Sequence, residues 1–269
     1  MQPLIKVEKL VKRYARRNRG GAQEELRALD GVSFEVFAGT TLAVVGESGS
    51  GKSTLALCLA CLEEPTSGSI WFKGRDILKF AEKERRDIRP QIQLIFQDPA
   101  NSLNPRWKAL EILIEPLVLQ GRISREEMKQ RAYSLLGRVG LSAETAERLP
   151  GELSGGQRQR LAIARALALE PKVLVLDEAL SALDCSVQAQ IANLLMELQG
   201  ALGMTYVFIT HDLAMAAHLA DEIVVMNGGR IVEQGRVERV LREPREEITR
   251  RLVAAVPRMT RAPMAPTGR

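Results

Sequence analysis

Residues 44–54 read VVGESGSGKST, and this stretch constrains the fold more than any other part of the chain. An apolar run at 42–45 leads straight into three glycines, two serines and a lysine within 46–52, a loop with almost nothing to pack. The spacing Gly46, Glu47, Ser48, Gly49, Ser50, Gly51, Lys52, Ser53 fits G-x-x-x-x-G-K-[ST], and Thr54 opens the helix-compatible LALCLACL. Small residues let backbone N–H groups wrap around phosphate oxygens, while the helix start adds positive potential. Lys52 is expected to bridge the β- and γ-phosphates of a triphosphate, and the Ser53 hydroxyl to bind Mg²⁺. The loop packs against its ligand instead of itself.

The rest of the composition is that of an ordinary globular chain of 269 residues, 45% hydrophobic and 26% charged. No run approaches the ~18 apolar residues that would mark a membrane span, and the start lacks a signal peptide's apolar centre. The expectation is therefore a cytosolic chain that forms no pore by itself. A net charge of +5 is compatible with nucleotide, nucleic acid or lipid partners but selects none of them. Cys58, Cys61 and Cys185 are too few for a disulfide framework. Cys58 and Cys61 form a lone C-x-x-C inside an Ala/Leu-rich helical stretch, so they read as small packed residues and not as metal ligands.

Residues 5–8 and 32–36 alternate apolar and polar as half-exposed strands do. Between them RYARRNRGGAQEEL reads as a solvated loop, whose Arg16, Arg17 and Arg19 could touch phosphates. Residues 92–96, 173–176 and 205–210 are short, nearly uncharged runs suited to parallel strands covered on both faces. In SVQAQIANLLMELQ, Val187, Ile191, Leu194, Leu195 and Leu198 share one helical face. IVVMNGGRIVEQG predicts a hairpin turning at Asn227-Gly228 or Gly228-Gly229. The stretch from about 99 to 149 is helix-prone, contains Pro105 and Pro116, and reads as a helical lobe inserted into an α/β core. The last residues, RMTRAPMAPTGR, are expected to form a loose tail.

Each core strand ends in chemistry: the glycine loop, then Gln97, then Asp177-Glu178, then His211. In an open parallel sheet, ligands bind beyond the strands' carboxyl ends. Asp177 would hold Mg²⁺, Glu178 would orient the attacking water and take its proton, and Gln97 could reach both metal and water. His211 could bond the γ-phosphate or position Glu178, whereas His218 reads as a helix-surface residue.

LSGGQRQRLAIARAL at 153–167 supplies a second anion-binding helix start at Ser154, Gly155, Gly156 and Gln157. Here the sequence resembles the ATP-binding cassette (ABC) family, across about residues 4–256. The resemblance implies an α/β P-loop NTPase cassette with a mostly parallel core sheet, an N-terminal antiparallel β-subdomain and an inserted helical subdomain at about 99–170, followed by a flexible tail at 257–269. It makes Tyr14 the aromatic that stacks on adenine, Gln97 the Q-loop glutamine, Asp177 and Glu178 the Walker B pair, 181–184 the D-loop and His211 the switch histidine. In that family two cassettes face head to tail, so Ser154, Gly155, Gly156 and Gln157 would cap the ATP of a partner.

IFQDPANSLNPRW, ALALEPKVLVLDE and SALDCSVQAQIANLL are similar to segments of bacterial dipeptide, oligopeptide and nickel importer cassettes. That likeness implies a heterodimer with a second ABC ATPase, two integral membrane permeases and, indirectly, an extracytoplasmic solute-binding protein. It places the chain peripherally at the cytoplasmic face of the inner membrane, with ATP and Mg²⁺ as cofactors and no nucleic acid. Ala179-Leu180 departs from the commoner Pro-Thr, and no cysteine cluster suited to an iron–sulfur centre is present. A soluble ABC ATPase acting on nucleic acid or ribosomes, or a cassette of another transporter class, is the alternative.

Overall fold

The computed structural model describes residues 2–17, 23–98, 102–121 and 123–255. The 257–269 tail and Arg19 lie outside the described residues.

The core is a six-stranded sheet in the order β10-β9-β3-β8-β7-β6. These strands are β3 (Thr41–Val45), β6 (Ile92–Ile95), β7 (Val173–Asp177), β8 (Thr205–Thr210), β9 (Glu222–Asn227) and β10 (Arg230–Arg236). β9, β3, β8, β7 and β6 run parallel, and β10 returns antiparallel on the edge. Strand side chains alternate between faces, and here each face meets its own core. Val44, Val175 and Val207 enter one apolar cluster, and Leu174, Leu176 and Phe208 enter another on the opposite side. Burial on both faces is why these runs carry so few charges. The hairpin turns at Gly228 and Gly229, with φ of +53° and +80°, the pair of positive angles a type I′ turn requires.

A second sheet of order β2-β1-β4-β5 is antiparallel throughout. It comprises β1 (Ile5–Arg17), β2 (Gln23–Val36), β4 (Ser67–Phe72) and β5 (Arg75–Asp76). Its apolar face, including Ile5, Val7, Phe34, Ile70 and Phe72, packs with Leu55, Cys58 and Leu59 of α1 (Lys52–Leu59). The expected loop across RYARRNRGGAQEEL is corrected here, because strand pairing continues to Arg17 and resumes at Gln23. The distal part pairs Tyr14 with Leu26 while Arg13, Ala15, Glu25 and Leu26 are all exposed. With solvent on both faces, no apolar alternation marks it as a strand.

The helical part contains α3 (Ala109–Gln120), α4 (Arg125–Arg138) and α5 (Gly155–Leu167), which bury Ile112, Leu113, Leu135, Leu136 and Leu161 in one cluster. Pro116 lies inside α3. The same cluster takes Ile191, Leu194, Leu195 and Leu198 from α6 (Cys185–Leu202), with Val187 packed at its margin. α2 (Glu82–Ile88), α7 (Leu213–Leu219), α8 (Val237–Arg242) and α9 (Glu247–Ala254) are further helices among the described residues.

Candidate functional site

The 46–54 loop leaves β3 at the carboxyl edge of the sheet and feeds α1, as the strand–loop–helix reading requires. Two of its glycines are dictated by backbone walls. A Cβ on Gly46 would sit 2.2 Å from the Met226 carbonyl oxygen, and one on Gly51 would sit 2.2 Å from that of Ala28. Gly51 also has φ +103°, a region that side chains disfavour. The loop is tied down further by Gly229, whose N–H donates to the Ser50 carbonyl at 3.0 Å. It is therefore clamped between β9, its hairpin and β2.

Lys52 is nearly buried and folded onto its own loop, donating to the carbonyls of Gly46 and Glu47 at 2.8 Å each. Burial pushes its pKa down, with Glu178 and Asp177 opposing the shift. Ser53 Oγ donates to Asp177 Oδ1 at 3.2 Å, joining the start of α1 to the end of β7. Burial raises the Asp177 pKa, against the pull of the Ser53 bond and the Lys52 charge. A hydroxyl beside one carboxylate is a hard-oxygen donor set. Mg²⁺ characteristically takes one or two such groups and fills its remaining positions with substrate phosphate and water. Among the described residues no cluster of three or more His, Cys, Asp or Glu forms a self-sufficient metal cage. The site thus fits an ion that arrives with a nucleotide.

Glu178 follows at φ +47°, a left-handed conformation that costs a non-glycine residue about 1–2 kcal/mol. Its N–H donates to the Ile209 carbonyl at 2.9 Å, so adjacent strand ends enforce the turn. The result sets Glu178 Oε2 3.4 Å from His211 Nδ1. A carboxylate beside an imidazole is an arrangement suited to accepting a proton from water. Gln97 also lies at this edge, but its amide Nε2 donates to Ser181 Oγ at 3.3 Å and not to Ser53 or Asp177. Ser181 in turn donates to the Glu178 carbonyl at 2.9 Å. Sequence reasoning placed Ser181 in the 181–184 segment without giving it a partner. His218 is exposed on α7, as expected, with Asn193 Oδ1 3.5 Å away.

Ser154 caps α5. Its Oγ accepts from Gln157 N at 3.3 Å, and its N–H donates to Gln157 Oε1 at 2.9 Å, a reciprocal capping box. Gly155 and Gly156 face α6 and the loop before it. A Cβ on Gly156 would come within 2.7 Å of Val187, and one on Gly155 within 3.4 Å of Leu183. Ser154 itself is exposed. Tyr14 is half-buried on β1, with Lys12 Nζ 4.9 Å from its ring centroid. Lys12 is held by Glu63 and by the Glu64 carbonyl just past α1. Cys58 is buried and its thiol pKa is pushed up to about 12, whereas Cys61 sits half-buried after the helix end at φ +56°. A thiol held protonated by burial suits packing.

A family model described as ABC transporter matches residues 29–181. Among curated proteins, the dipeptide transport ATP-binding protein DppF of Escherichia coli is 48% identical over 259 residues, covering 96% of this chain and 78% of that protein. The oligopeptide transport ATP-binding protein OppF of Salmonella typhimurium is 46% identical, covering 86% of this chain and 70% of its own. Among solved structures, the ATP-binding cassette MJ0796, a dimer in a post-hydrolysis state bound to ADP and Pi, superposes with a TM-score of 0.77 at 32% identity. That match covers 87% of this chain and 98% of that one. The glycine cradle, the carboxylate pair and these likenesses converge, and the chain belongs to the ABC transporter family as one of its ATP-hydrolysing cassettes.

Proposed function

We propose that this chain is the ATPase subunit of a bacterial importer of the peptide-uptake class, coupling ATP hydrolysis to solute entry through separate membrane permeases. The observation that carries the chemistry is the edge where Ser53 meets Asp177 and Glu178 meets His211, beside the glycine-rich 46–54 loop. The relatives' names, dipeptide and oligopeptide transport ATP-binding proteins, favour peptide over nickel as cargo.

In this reading Gly46, Glu47, Ser48, Gly49, Ser50, Gly51 and Thr54 wrap the phosphates, and Tyr14 stacks on adenine. Lys52 leaves its loop carbonyls for the β- and γ-phosphates, which replace the acceptors it now uses. Ser53, Asp177 and Gln97 would hold Mg²⁺, which neutralises phosphate charge when bound. Water attacks the γ-phosphorus, the bond to the β–γ bridging oxygen breaks, and Glu178 takes the water proton. His211 holds the Glu178 carboxylate or the γ-phosphate in line. Ser154, Gly155, Gly156 and Gln157 close over the nucleotide of a second, related cassette.

We take residues 4–256 as the cassette and about 99–170 as its helical lobe. Between that lobe and the core edge lies a groove of about 640 Å³, lined by Arg86, Pro90, Pro116, Leu119, Arg165 and Leu169. Leu119 there is 82% exposed. This surface suits a short helix of a permease at the cytoplasmic face of the membrane. Among the described residues no helix is long and apolar enough to cross a bilayer, and in this reading the permeases provide the path. Purification of the tagged chain from detergent-solubilised membranes tests the assignment. Two integral membrane proteins and a second cassette should co-purify, with ATPase activity stimulated by a peptide-loaded binding protein. Recovery of bound RNA or DNA instead, with nucleic-acid-stimulated turnover, would overturn it.

A further inference from the structure

Past Val11, the strand that carries Tyr14 has lost one of its two neighbours. β4 pairs with β1 only as far as Val11 and Ser67, whereas β2 follows it out to Arg17. The segment after α1 takes the place of β4. Thr66 N–H donates to the Val11 carbonyl at 2.7 Å, and Arg13 N–H donates to Thr66 Oγ1 at 3.0 Å. Between these two bonds Lys12 Nζ donates to the Glu64 carbonyl at 2.7 Å and pairs with Glu63. The Lys12 side chain is only 13% exposed, and its bond to Glu63 raises its pKa, so the ammonium keeps its charge. The segment is itself folded back on α1, with Leu62 N–H and Glu63 N–H both bonded to the Leu57 carbonyl. The far end of the helix that starts at Lys52 therefore grips the strand that carries Tyr14.

Lys12 and Tyr14 are two residues apart on β1 and share a face. The ammonium lies 4.9 Å from the ring centroid, within reach of a cation–π attraction. An ammonium on one face of a ring leaves the other for a flat partner. We propose that Lys12, locked by Glu63, is a positioning residue that fixes the Tyr14 ring as the platform for the nucleotide base. The inference rests on the reading that Tyr14 stacks on adenine. Without the ammonium the ring samples other orientations, and apparent affinity falls by the fraction still ready for the base. A cation–π contact of ordinary strength makes this a factor of about 3–10.

The test is calorimetric titration with ATP and, separately, with inorganic tripolyphosphate, which offers phosphates without a base, both in Mg²⁺. Lys12→Met should bind ATP about 3- to 10-fold more weakly than wild type and tripolyphosphate equally well. Lys12→Arg, which keeps a cation beside the ring, should return to the wild-type values. Glu63→Gln loosens the same lysine from its other side and should also weaken ATP alone, which serves if Lys12→Met folds badly. In a Tyr14→Ala background the cost of Lys12→Met should vanish. Unchanged ATP affinity in Lys12→Met and Glu63→Gln, a loss shared equally by tripolyphosphate, or one that survives in Tyr14→Ala overturns the role. Wild-type ATP affinity in Tyr14→Ala itself would instead sink the stacking reading, and this inference with it.

Discussion

The chain has two glycine-bearing helix starts, which we propose serve anions, and they differ in what surrounds them. The 46–54 cradle is walled by backbone carbonyls of Met226 and Ala28, and its lysine is nearly buried. The 154–157 turn is open: Ser154 is exposed, and its glycines lean on the side chains of Leu183 and Val187. Backbone walls yield less readily than side chains, so the 46–54 loop has its shape set before any ligand arrives. The second presents a capped N-terminus to solvent with only its rear face packed. In the proposed reading one chain carries a finished cradle and an unfinished lid, which is the asymmetry expected if a neighbouring cassette completes each site.

The comparison is strained most by Glu178→Gln. We expect turnover to fall roughly 10²- to 10⁴-fold while ATP binding persists, because only the proton acceptor is lost. With hydrolysis arrested, ATP should hold cassettes together long enough to be seen by size-exclusion chromatography. Full turnover in this variant would remove Glu178 from its role. Lys52→Ala attacks the finished cradle directly. Loss of a charge-assisted bond to phosphate should weaken ATP binding roughly 10- to 100-fold by calorimetry, and unchanged affinity would dismiss the cradle assignment. Ser154→Arg attacks the lid alone. The chain should fold and load nucleotide as before, but ATP-dependent association should weaken about 10-fold or more because the side chain blocks closure. An intact ATP-dependent dimer in that variant would break the contrast between the two helix starts.

How much of this was legible depended on whether a feature speaks through side-chain type. β7 and β8 read correctly because both their faces are buried, and the Gly228-Gly229 turn because only glycine tolerates two positive φ angles so readily. β4 was not recognised, since it opens Ser-Gly-Ser and looks like a turn; Gly68 is there because a Cβ would meet the Lys9 carbonyl at 2.5 Å. Lys52, Ser53, Asp177, Glu178 and His211 stood out by motif and converge at one edge. The walls around the cradle did not, because the carbonyls of Ala28 and Met226 carry no residue signature and come from distant strands. Gln97 was legible as a site residue, yet its bond to Ser181 spans a separation that no local pattern encodes.

The smallest effect probes the cost of keeping the finished cradle charged without its ligand. Burial raises the Asp177 pKa, so the folded protein retains that proton to a higher pH than the unfolded chain does. Between the unfolded and the raised folded pKa the native state binds more protons, and stability falls as pH rises. Above the folded pKa the full penalty applies; below the unfolded value it is absent. Asp177→Asn keeps an acceptor for Ser53 and removes the charge. Without nucleotide it should therefore melt about 1–3 °C higher than wild type near neutral pH, with the gap closing in mild acid. Magnesium and ATP should reverse the order, because only the carboxylate can use them well. A nucleotide-free Asn variant that melts below wild type near neutral pH would mean that Asp177 supports the fold, and that the cradle's charges are not held at the fold's expense for a ligand.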